Sequence, residues 1–286
     1  MAVHSHAFRP YDGARTPAWA RPLVLTRYAL RDAFSQKKTI ALLVLSAIPT
    51  LAAAVIIYLH HNLEAVKILE IPIDAIVSID SKFFFRILGA QTLAAFLLTV
   101  VTGPRMLVSD LRDNALPLYL SRPLTRFEYV LGKAAALATV GSLVTWVPGL
   151  LLIALQVSLT GFGWLAKHWW VPIAIFAGSW VAIALFTLLC LAIASVVRRK
   201  AAAEGAVVAF FFVLPLVGQV INASLRVDWG WHLQVPAVLA SIWIPLFRLD
   251  LPSNLTLAGA LVTFALFLVG ACLVLERRVR AWEVVR

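Results

Sequence analysis

Six long segments of this 286-residue chain contain no Asp, Glu, Lys or Arg, and they constrain its fold more than any other feature. The segments cover residues 39–62, 87–104, 134–166, 168–197, 205–225 and 251–275. Each is long enough for one α-helix to cross the hydrocarbon core of a bilayer, which needs about 20 apolar residues. The pattern predicts an all-α, polytopic membrane protein with six transmembrane helices. We place the spans at about residues 39–59, 85–108, 130–156, 170–197, 205–225 and 254–276.

The composition agrees with a membrane protein. Apolar residues make up 62% of the chain, the mean hydropathy is +0.90, and only 14% of residues are charged. A soluble protein has about 25% charged residues. No ionisable carboxylate or amine lies in the middle of a predicted span, which argues against an ion-coupled transporter. Pro148 and Pro215 are expected to kink the third and fifth spans.

The charges are distributed unequally between the two predicted sides of the membrane. Nineteen of the 25 Lys and Arg residues lie on the side that includes both termini and the segment between spans 2 and 3. After the acidic residues are subtracted, the whole net charge of +11 falls on that side, so the positive-inside rule predicts cytosolic termini. The basic residues flank the spans instead of forming one patch. We therefore expect them to contact lipid headgroups and not nucleic acid.

Residues 1–38 are predicted to be a cytosolic tail followed by an interfacial helix, and residues 39–286 a single transmembrane domain. In residues 22–38 an apolar stripe lies beside basic residues: Leu23, Leu30 and Phe34 beside Arg27, Arg31 and Lys38. This pattern suits a helix that lies in the inner membrane interface. Because the stripe is narrow, a simple cytosolic helix is the alternative.

The segment 232–249 is mostly apolar, but Pro236 and Pro245 interrupt it. If it were a seventh span, the arginine-rich C-terminal end would lie outside, against the charge rule. We therefore predict a re-entrant or interfacial outer segment between spans 5 and 6.

The polar interruption between spans 2 and 3, residues 109–133, has an ordered composition. Three groups of residues follow one another along it. The first is charged: Asp110, Arg112 and Asp113. The second is apolar (Leu116, Pro117, Leu118, Tyr119 and Leu120), and the third is basic (Arg122, Pro123 and Arg126). Thr125 and Glu128 have the spacing of a capping box, which predicts that a helix begins here. Solvated loops seldom expose several adjacent large apolar side chains without a partner. We interpret the segment as a short cytosolic helix that contacts another protein.

The order and spacing of this segment resemble those of ABC-2 type transporter permeases. The matching residues are Asp110, Leu116 to Leu120, Arg122-Pro123, Arg126, Glu128-Tyr129 and Leu131-Gly132-Lys133. Asn114-Ala115 departs from the Gly-Thr pair that is frequent in the family. Beyond the segment, the resemblance extends to the order of the spans.

The resemblance implies the membrane-spanning permease subunit of an ATP-binding cassette exporter in the cell membrane, typically the bacterial inner membrane. A homodimer or heterodimer of permeases would work with a separate cytosolic ATPase, which would hold the ATP and Mg²⁺, and this chain would need no cofactor. The segment between spans 2 and 3 would be the coupling helix. Its implied ATPase-coupling residues are Asp110, Arg112, Asp113, Leu116, Leu118, Tyr119, Leu120, Arg122 and Arg126.

Four polar residues inside the predicted spans are candidates for lining a translocation pathway: Gln91, Gln156, Gln219 and Asn222. The alternative is that their side chains form hydrogen bonds between helices, as most such residues do in membranes.

The sequence shows no catalytic motif. Gly132-Lys133 lacks the first glycine of a phosphate-binding loop and is followed by Ala, so we do not expect this chain to hydrolyse ATP. Its histidines share no ligand spacing with a carboxylate or cysteine, and no metal site is predicted. The alternative to a permease is a membrane anchor or assembly subunit that binds an ATPase or a sensor without moving a solute.

We predict that single cysteines introduced at Ser109 and Ser121 react with a thiol reagent only from the cytosolic side of the membrane, whereas a cysteine at Ser253 reacts from outside intact cells. The asymmetric charge gives this expectation. Both native cysteines are replaced in the background. Labelling of the Ser121 position from outside would contradict the topology.

Overall fold

A computed structural model describes residues 17, 20–62, 78–113, 115, 124–197 and 199–279. Over these residues the regular elements are all helical, which confirms the predicted fold class. The α-helices are α1 (Arg21–Phe34), α2 (Lys37–His61), α3 (Ser81–Arg112), α4 (Arg126–Val144), α5 (Trp146–Thr160), α6 (Phe162–Lys167), α7 (Trp170–Val196), α8 (Lys200–Leu225), α9 (Val235–Leu246) and α10 (Leu257–Arg278). A 3₁₀ helix, Trp229–Leu233, lies between α8 and α9.

Six stretches within the described residues are long and apolar enough to cross a membrane, as predicted. They are Lys37–His61, Ser81–Arg112, Arg126–Thr160, Trp170–Val196, Lys200–Leu225 and Leu257–Arg278. Most extend beyond the predicted boundaries because charged residues at their ends, such as Lys37 and Arg112, are also helical. Long basic side chains at helix ends reach the membrane interface, so they do not have to end the helix.

Several helices begin where a polar side chain caps free backbone N–H groups. The Oδ1 atom of Asp80 accepts a hydrogen bond of 2.9 Å from the backbone N–H of Phe83 at the start of α3. Thr256 caps α10 in the same way through the N–H of Gly259, at 3.1 Å. Both residues supply an acceptor for N–H groups that have no partner within the helix.

The central helix of the bundle is α7, which packs against α3, α4, α5, α8, α9 and α10. In its most apolar stretch 61% of residues are buried, compared with 17% in α2, α8 and α10. Gly178 allows close packing here, since an added Cβ would lie 3.0 Å from Leu88 and 3.1 Å from Trp243. The indole Nε1 of Trp243 donates a hydrogen bond of 3.0 Å to the Gly178 carbonyl. The three peripheral helices expose broad apolar faces.

The third span consists of two helices, and the interruption lies close to Pro148, where a kink was predicted. Helices α4 and α5 meet at Thr145, whose backbone angles are φ −106° and ψ −92°. Pro148 lies one turn into α5 and has no N–H to donate to the carbonyl of residue 144, which explains the interruption. The Thr145 hydroxyl instead donates to the Gly141 carbonyl at 2.8 Å. Pro215, by contrast, lies inside the continuous helix α8.

Helix α1 lies where the N-terminal helix was predicted, but it ends at Phe34, before Lys38. Its buried residues are Thr26, Ala29 and Ala33; of the predicted stripe, Leu23 is 56% exposed, and Leu30 and Phe34 are half-buried. Helix α1 packs closely on α4, where Gly132 lies against Pro22 and Leu25. The Thr26 hydroxyl lies 2.9 Å from the Pro22 carbonyl and 3.0 Å from the Gly132 carbonyl. The location of α1 in the membrane interface stays a prediction.

The segment between the fifth and sixth spans contains the 12-residue helix α9, which is about 18 Å long at 1.5 Å per residue. It is too short to cross a hydrocarbon core of about 30 Å. Val238, Leu239 and Trp243 are buried, and α9 packs on α7 and α10. A short helix is thus found in place of a seventh span, and its depth in the membrane stays a prediction.

The two ends of the bundle differ in chemistry. At the first, which we call the basic end, the Oδ2 atom of Asp32 in α1 lies 3.5 Å from the Nε atom of Arg105 in α3. At the opposite, tryptophan end, the guanidinium of Arg248 lies 4.5 Å from the ring centroid of Trp170. The Nε1 atom of Trp164 donates to the carbonyl of residue 79 at 3.3 Å. These ends match the two predicted sides, and the assignment of the basic end to the cytosol stays a prediction.

We expect Gly132→Val to destabilise the protein by about 1 to 3 kcal/mol, because a larger side chain would force α1 away from α4. An added Cβ at Gly132 would lie 2.8 Å from the Cβ of Leu25 and 3.0 Å from the Pro22 carbonyl oxygen. Thermal unfolding in detergent measures the effect. Gly270→Ala is the control, since a Cβ there meets no heavy atom within 4 Å. Equal melting temperatures for the two variants would contradict the close contact.

Candidate functional site

At the basic end, three side chains join the C-terminal part of α3 to the beginning of α4. The Nζ atom of Lys133 lies 2.8 Å from Oδ2 of Asp110. The hydroxyl of Tyr129 donates a hydrogen bond of 2.7 Å to the same oxygen. We call Asp110, Tyr129 and Lys133 the Asp110 cluster. It connects the two ends of the chain segment that was predicted to contact a partner.

The Asp110 cluster is shielded from water. The side chains of Lys133 and Asp110 are 9% and 15% exposed, and Tyr129 is fully buried. A buried charge is tolerated only when it is paired and hydrogen-bonded, and both conditions are met here. Tyr129 and Lys133 are four residues apart, so both point from the same face of α4 toward α3. The cluster therefore restricts how α3 and α4 can shift along each other.

The capping box fixes the start of α4, as predicted from the sequence. The Thr125 hydroxyl accepts from the N–H of Glu128 at 3.2 Å, and the Glu128 carboxylate accepts from the N–H of Thr125 at 2.6 Å. These reciprocal bonds use two N–H groups that the helix leaves free. The chain therefore enters α4 in a defined direction, close to the Asp110 cluster.

The remaining predicted coupling residues differ in their surroundings. Arg112 and Asp113 form an ion pair, with 2.9 Å between Nε of Arg112 and Oδ1 of Asp113. Their side chains are 70% and 56% exposed. Arg126 is exposed at the first residue of α4, next to Phe127, which is 73% exposed. The other predicted coupling residues lie outside the described part of the chain: Leu116, Leu118, Tyr119, Leu120 and Arg122.

A cleft of about 750 Å³ lies beside the Asp110 cluster, between α1, α3, α4 and α8. Its walls carry charges of both signs, including the Asp32–Arg105 pair, Arg199 and Lys200. The cleft places the beginning of α8 close to the ends of α3 and α4. A shift of this end of α3 would therefore change the surroundings of three other helices.

Three of the four polar residues proposed to line a pathway form hydrogen bonds that join elements. Gln91 donates to the Thr50 hydroxyl at 3.1 Å, which connects α3 with α2. The Gln156 carboxamide oxygen lies 3.2 Å from Nε2 of His61. Asn222 accepts from the N–H of Gly230 at 2.8 Å. The fourth residue, Gln219, is exposed on the surface of α8.

Among the described histidines, the rings of His60 and His61 contact each other with centroids 5.0 Å apart, whereas His168 and His232 have other partners. His168 stacks on Trp164 with ring centroids 4.6 Å apart, and His232 contacts the Thr263 hydroxyl. Among the described residues, no group of three or more His, Cys, Asp or Glu side chains is arranged to hold a metal ion.

Sequence reasoning did not single out Tyr129 and Lys133 as site residues, although both lie in the motif that carries the resemblance. Their spacing of four on a helix, with a carboxylate at the end of the preceding span, was the available signal. It predicts that the two side chains share a face. It does not say that Asp110 meets that face.

These features define a polytopic α-helical membrane protein whose second and third spans are joined by a buried ion pair at the basic end. Comparison with known protein families identifies the family to which the chain belongs. Residues 24–227 match the model described as "ABC-2 family transporter protein". The match covers most of the 286 residues, so the chain belongs to the ABC-2 transporter family and is a membrane transport permease. No curated protein matches the chain.

We predict that Asp110→Ala destabilises the protein by about 3 to 5 kcal/mol, because it leaves the Lys133 ammonium buried without a counter-charge. The double variant Asp110→Leu with Lys133→Met should recover much of this loss, since both charges are removed together. Chemical denaturation in detergent gives the comparison.

Asp113→Ala is the matched control for Asp110→Ala. It removes a carboxylate that is also paired with a basic residue but is exposed, and exposed pairs contribute little. If Asp113→Ala and Asp110→Ala lowered the stability equally, burial of the Asp110 cluster would not be the source of its contribution.

Proposed function

We propose that this chain is the permease subunit of an ATP-binding cassette exporter, in which a separate cytosolic ATPase drives transport. The observation that carries the proposal is the Asp110 cluster. It joins α3 to α4, the helices that precede and follow the partly apolar residues 114–123. A protein that binds this segment would thereby act on α3 and α4 together.

The route from the segment to the spans is short. A displacement of the segment reaches α3 through Asp110 and α4 through Tyr129 and Lys133. Helix α3 packs along the central helix α7, which in turn contacts α8 and α10. Closure of an ATPase dimer would thus tilt several spans at once, between a state closed toward the inside and a state open toward the outside.

The predicted coupling residues have different roles in this proposal. Asp110 positions the segment from inside the protein. The apolar side chains Leu116, Leu118, Tyr119 and Leu120 would be buried on the ATPase, where each contributes about 1.5 to 3 kcal/mol. The exposed charges Arg112, Asp113, Arg122 and Arg126 would lie at the rim, where charges mainly affect the rate of encounter and the register.

The rest of the assembly follows from the same proposal. The basic end and both termini face the cytosol, in the inner membrane of a bacterial cell. ATP and Mg²⁺ bind to the ATPase, and this chain supplies no catalytic group. A second permease copy, identical or related, completes the pathway. Gln91, Gln156 and Asn222 join helices in this proposal, which leaves Gln219 as the residue that lines the pathway.

We expect Leu118→Asp combined with Tyr119→Ala to release or uncouple the ATPase while the six spans still insert. Losing two buried apolar contacts should lower the ATPase affinity by at least about a hundredfold. Co-purification and ATP-driven transport in proteoliposomes measure the two effects.

Arg126→Ala is the control for this experiment, because it removes a rim charge and should produce a milder effect that depends on salt. Full ATPase binding and undiminished transport in the double variant would exclude this segment as the coupling element. ATPase binding without any ATP-dependent transport by the wild-type complex would instead indicate a membrane anchor or assembly subunit.

A further inference from the structure

Arg248 follows the short helix α9 in a backbone conformation that favours glycine. Its φ is 54°, in the left-handed region. The N–H of Arg248 donates to the Pro245 carbonyl at 3.1 Å, and the N–H of Leu249 donates to the Ile244 carbonyl at 3.0 Å. Helices commonly end with this pair of hydrogen bonds around a left-handed residue, which is usually glycine because a side chain makes the conformation costly. An arginine kept at such a position points to a role for its side chain.

The guanidinium of Arg248 lies against two tryptophan rings. It is 4.5 Å from the ring centroid of Trp170 and 5.3 Å from that of Trp169. The two rings are inclined at 82° to each other, so the guanidinium lies in the corner between them. Such cation–π contacts hold the guanidinium in place, but they supply no acceptor oxygen for its five N–H groups.

The ring of Trp170 is itself held in place from two sides. Its Nε1 atom donates a hydrogen bond of 3.2 Å to the Ser81 hydroxyl at the start of α3. On another side, its centroid lies 5.6 Å from that of the His168 ring, which stacks on Trp164. The corner that holds the guanidinium is therefore formed before any ligand binds, which lowers the cost of binding one.

The Arg248 guanidinium has no acceptor in the part of the chain that the structure describes. No hydrogen bond or ion pair reaches it there, and Asp250, two residues along the chain, does not pair with it. A second arginine, Arg226, also has a left-handed conformation, with φ 52°, after helix α8 at the same end of the bundle. Among the described residues, Arg226 lies over no aromatic ring. Both arginines lie at helix C-termini, where cations are favoured, but only Arg248 has the tryptophan corner.

The depth of Arg248 in the membrane follows from helix α7, which begins at Trp170. At 1.5 Å per residue, this 27-residue helix is about 40 Å long, compared with about 30 Å for the hydrocarbon core. If α7 is centred in the bilayer, Trp170 lies about 5 Å beyond the hydrocarbon core, within the headgroup layer. Tryptophan is enriched at this level. The free N–H groups of Arg248 are thus at the depth of the lipid phosphates.

We propose that Arg248, framed by Trp169 and Trp170, binds the phosphate group of a phospholipid headgroup in the leaflet at the tryptophan end. A guanidinium presents a planar fork of N–H donors that matches two oxygens of a phosphate. The bound headgroup connects the end of α9 with the start of α7 and, through Trp170 and Ser81, with the start of α3. The site requires neither an ATPase nor transport, so it stands apart from the proposed function.

The first test measures the melting temperature of the purified permease in dodecyl maltoside micelles as dioleoyl phosphatidylglycerol is added, since a bound ligand stabilises the folded state. Arg248→Gly suits the left-handed backbone and should fold. Its apparent affinity for the phospholipid should be at least about tenfold weaker, as expected for the loss of a hydrogen bond between charged groups. Arg248→Lys keeps the charge without the planar fork and should also bind more weakly.

Arg226→Gly is the matched control for Arg248→Gly, because it makes the same change in the same backbone conformation and should keep the wild-type affinity. Equal losses in these two variants, or wild-type affinity in both Arg248 variants, would overturn the site.

The second test compares ligands on the wild-type protein. Dioleoylglycerol has the same acyl chains without the phosphate and should stabilise the protein much less than phosphatidylglycerol. Equal stabilisation by the two would show that acyl chains carry the binding and would overturn the proposal. Sodium phosphate, added at constant ionic strength, supplies the anion without the lipid. Stabilisation by sodium phosphate equal to that by the phospholipid would overturn a lipid headgroup as the source of the phosphate.

Discussion

A carboxylate and an ammonium that are both shielded from water determine how the basic end of this protein is built. Neither Asp110 nor Lys133 is tolerated there alone, because an unpaired charge at a buried position is costly. The ion pair, with the Tyr129 hydroxyl on the same oxygen, restrains both the distance and the register of α3 and α4.

One turn of α4 brings three parts of the protein together. Tyr129 and Lys133 contact Asp110 of α3. Gly132, in the same turn, contacts Leu25 and Thr26 of α1. The helix before the first span is therefore coupled to the same place as the segment between spans 2 and 3. Helix α4 ends at the interruption at Thr145. The following helix, α5, contacts α2 near the tryptophan end, where Gln156 lies beside His61.

Sequence reasoning predicted the features that depend on local chemistry. The six spans follow from hydropathy, and the start of α4 follows from Thr125 and Glu128, which interact with each other directly. The pairing of Asp110 with Lys133 was not predicted, because the two residues are 23 positions apart and meet only after α3 and α4 have packed. Similarly, the hydrogen bond that Asn222 receives from Gly230 depends on how the chain turns after α8.

The face that α1 packs on the bundle was not predicted. The apolar stripe that includes Leu23 was assigned to the membrane interface, and a hydropathy pattern marks an apolar face without naming its partner. Here α4 presents Gly132, against which Pro22 and Leu25 of α1 lie. The choice of face was set by the partner's shape, which a hydropathy pattern does not contain.

The central claim is that the Asp110 cluster transmits the movement of an ATPase to the spans. Spin labels at Ser253 in both copies of a reconstituted complex allow their separation to be measured by pulsed electron paramagnetic resonance, with and without trapped nucleotide. The account predicts that nucleotide trapping changes this separation in the wild type, and that Lys133→Met abolishes the change while the ATPase stays bound. The same nucleotide-dependent change in Lys133→Met as in the wild type would contradict it.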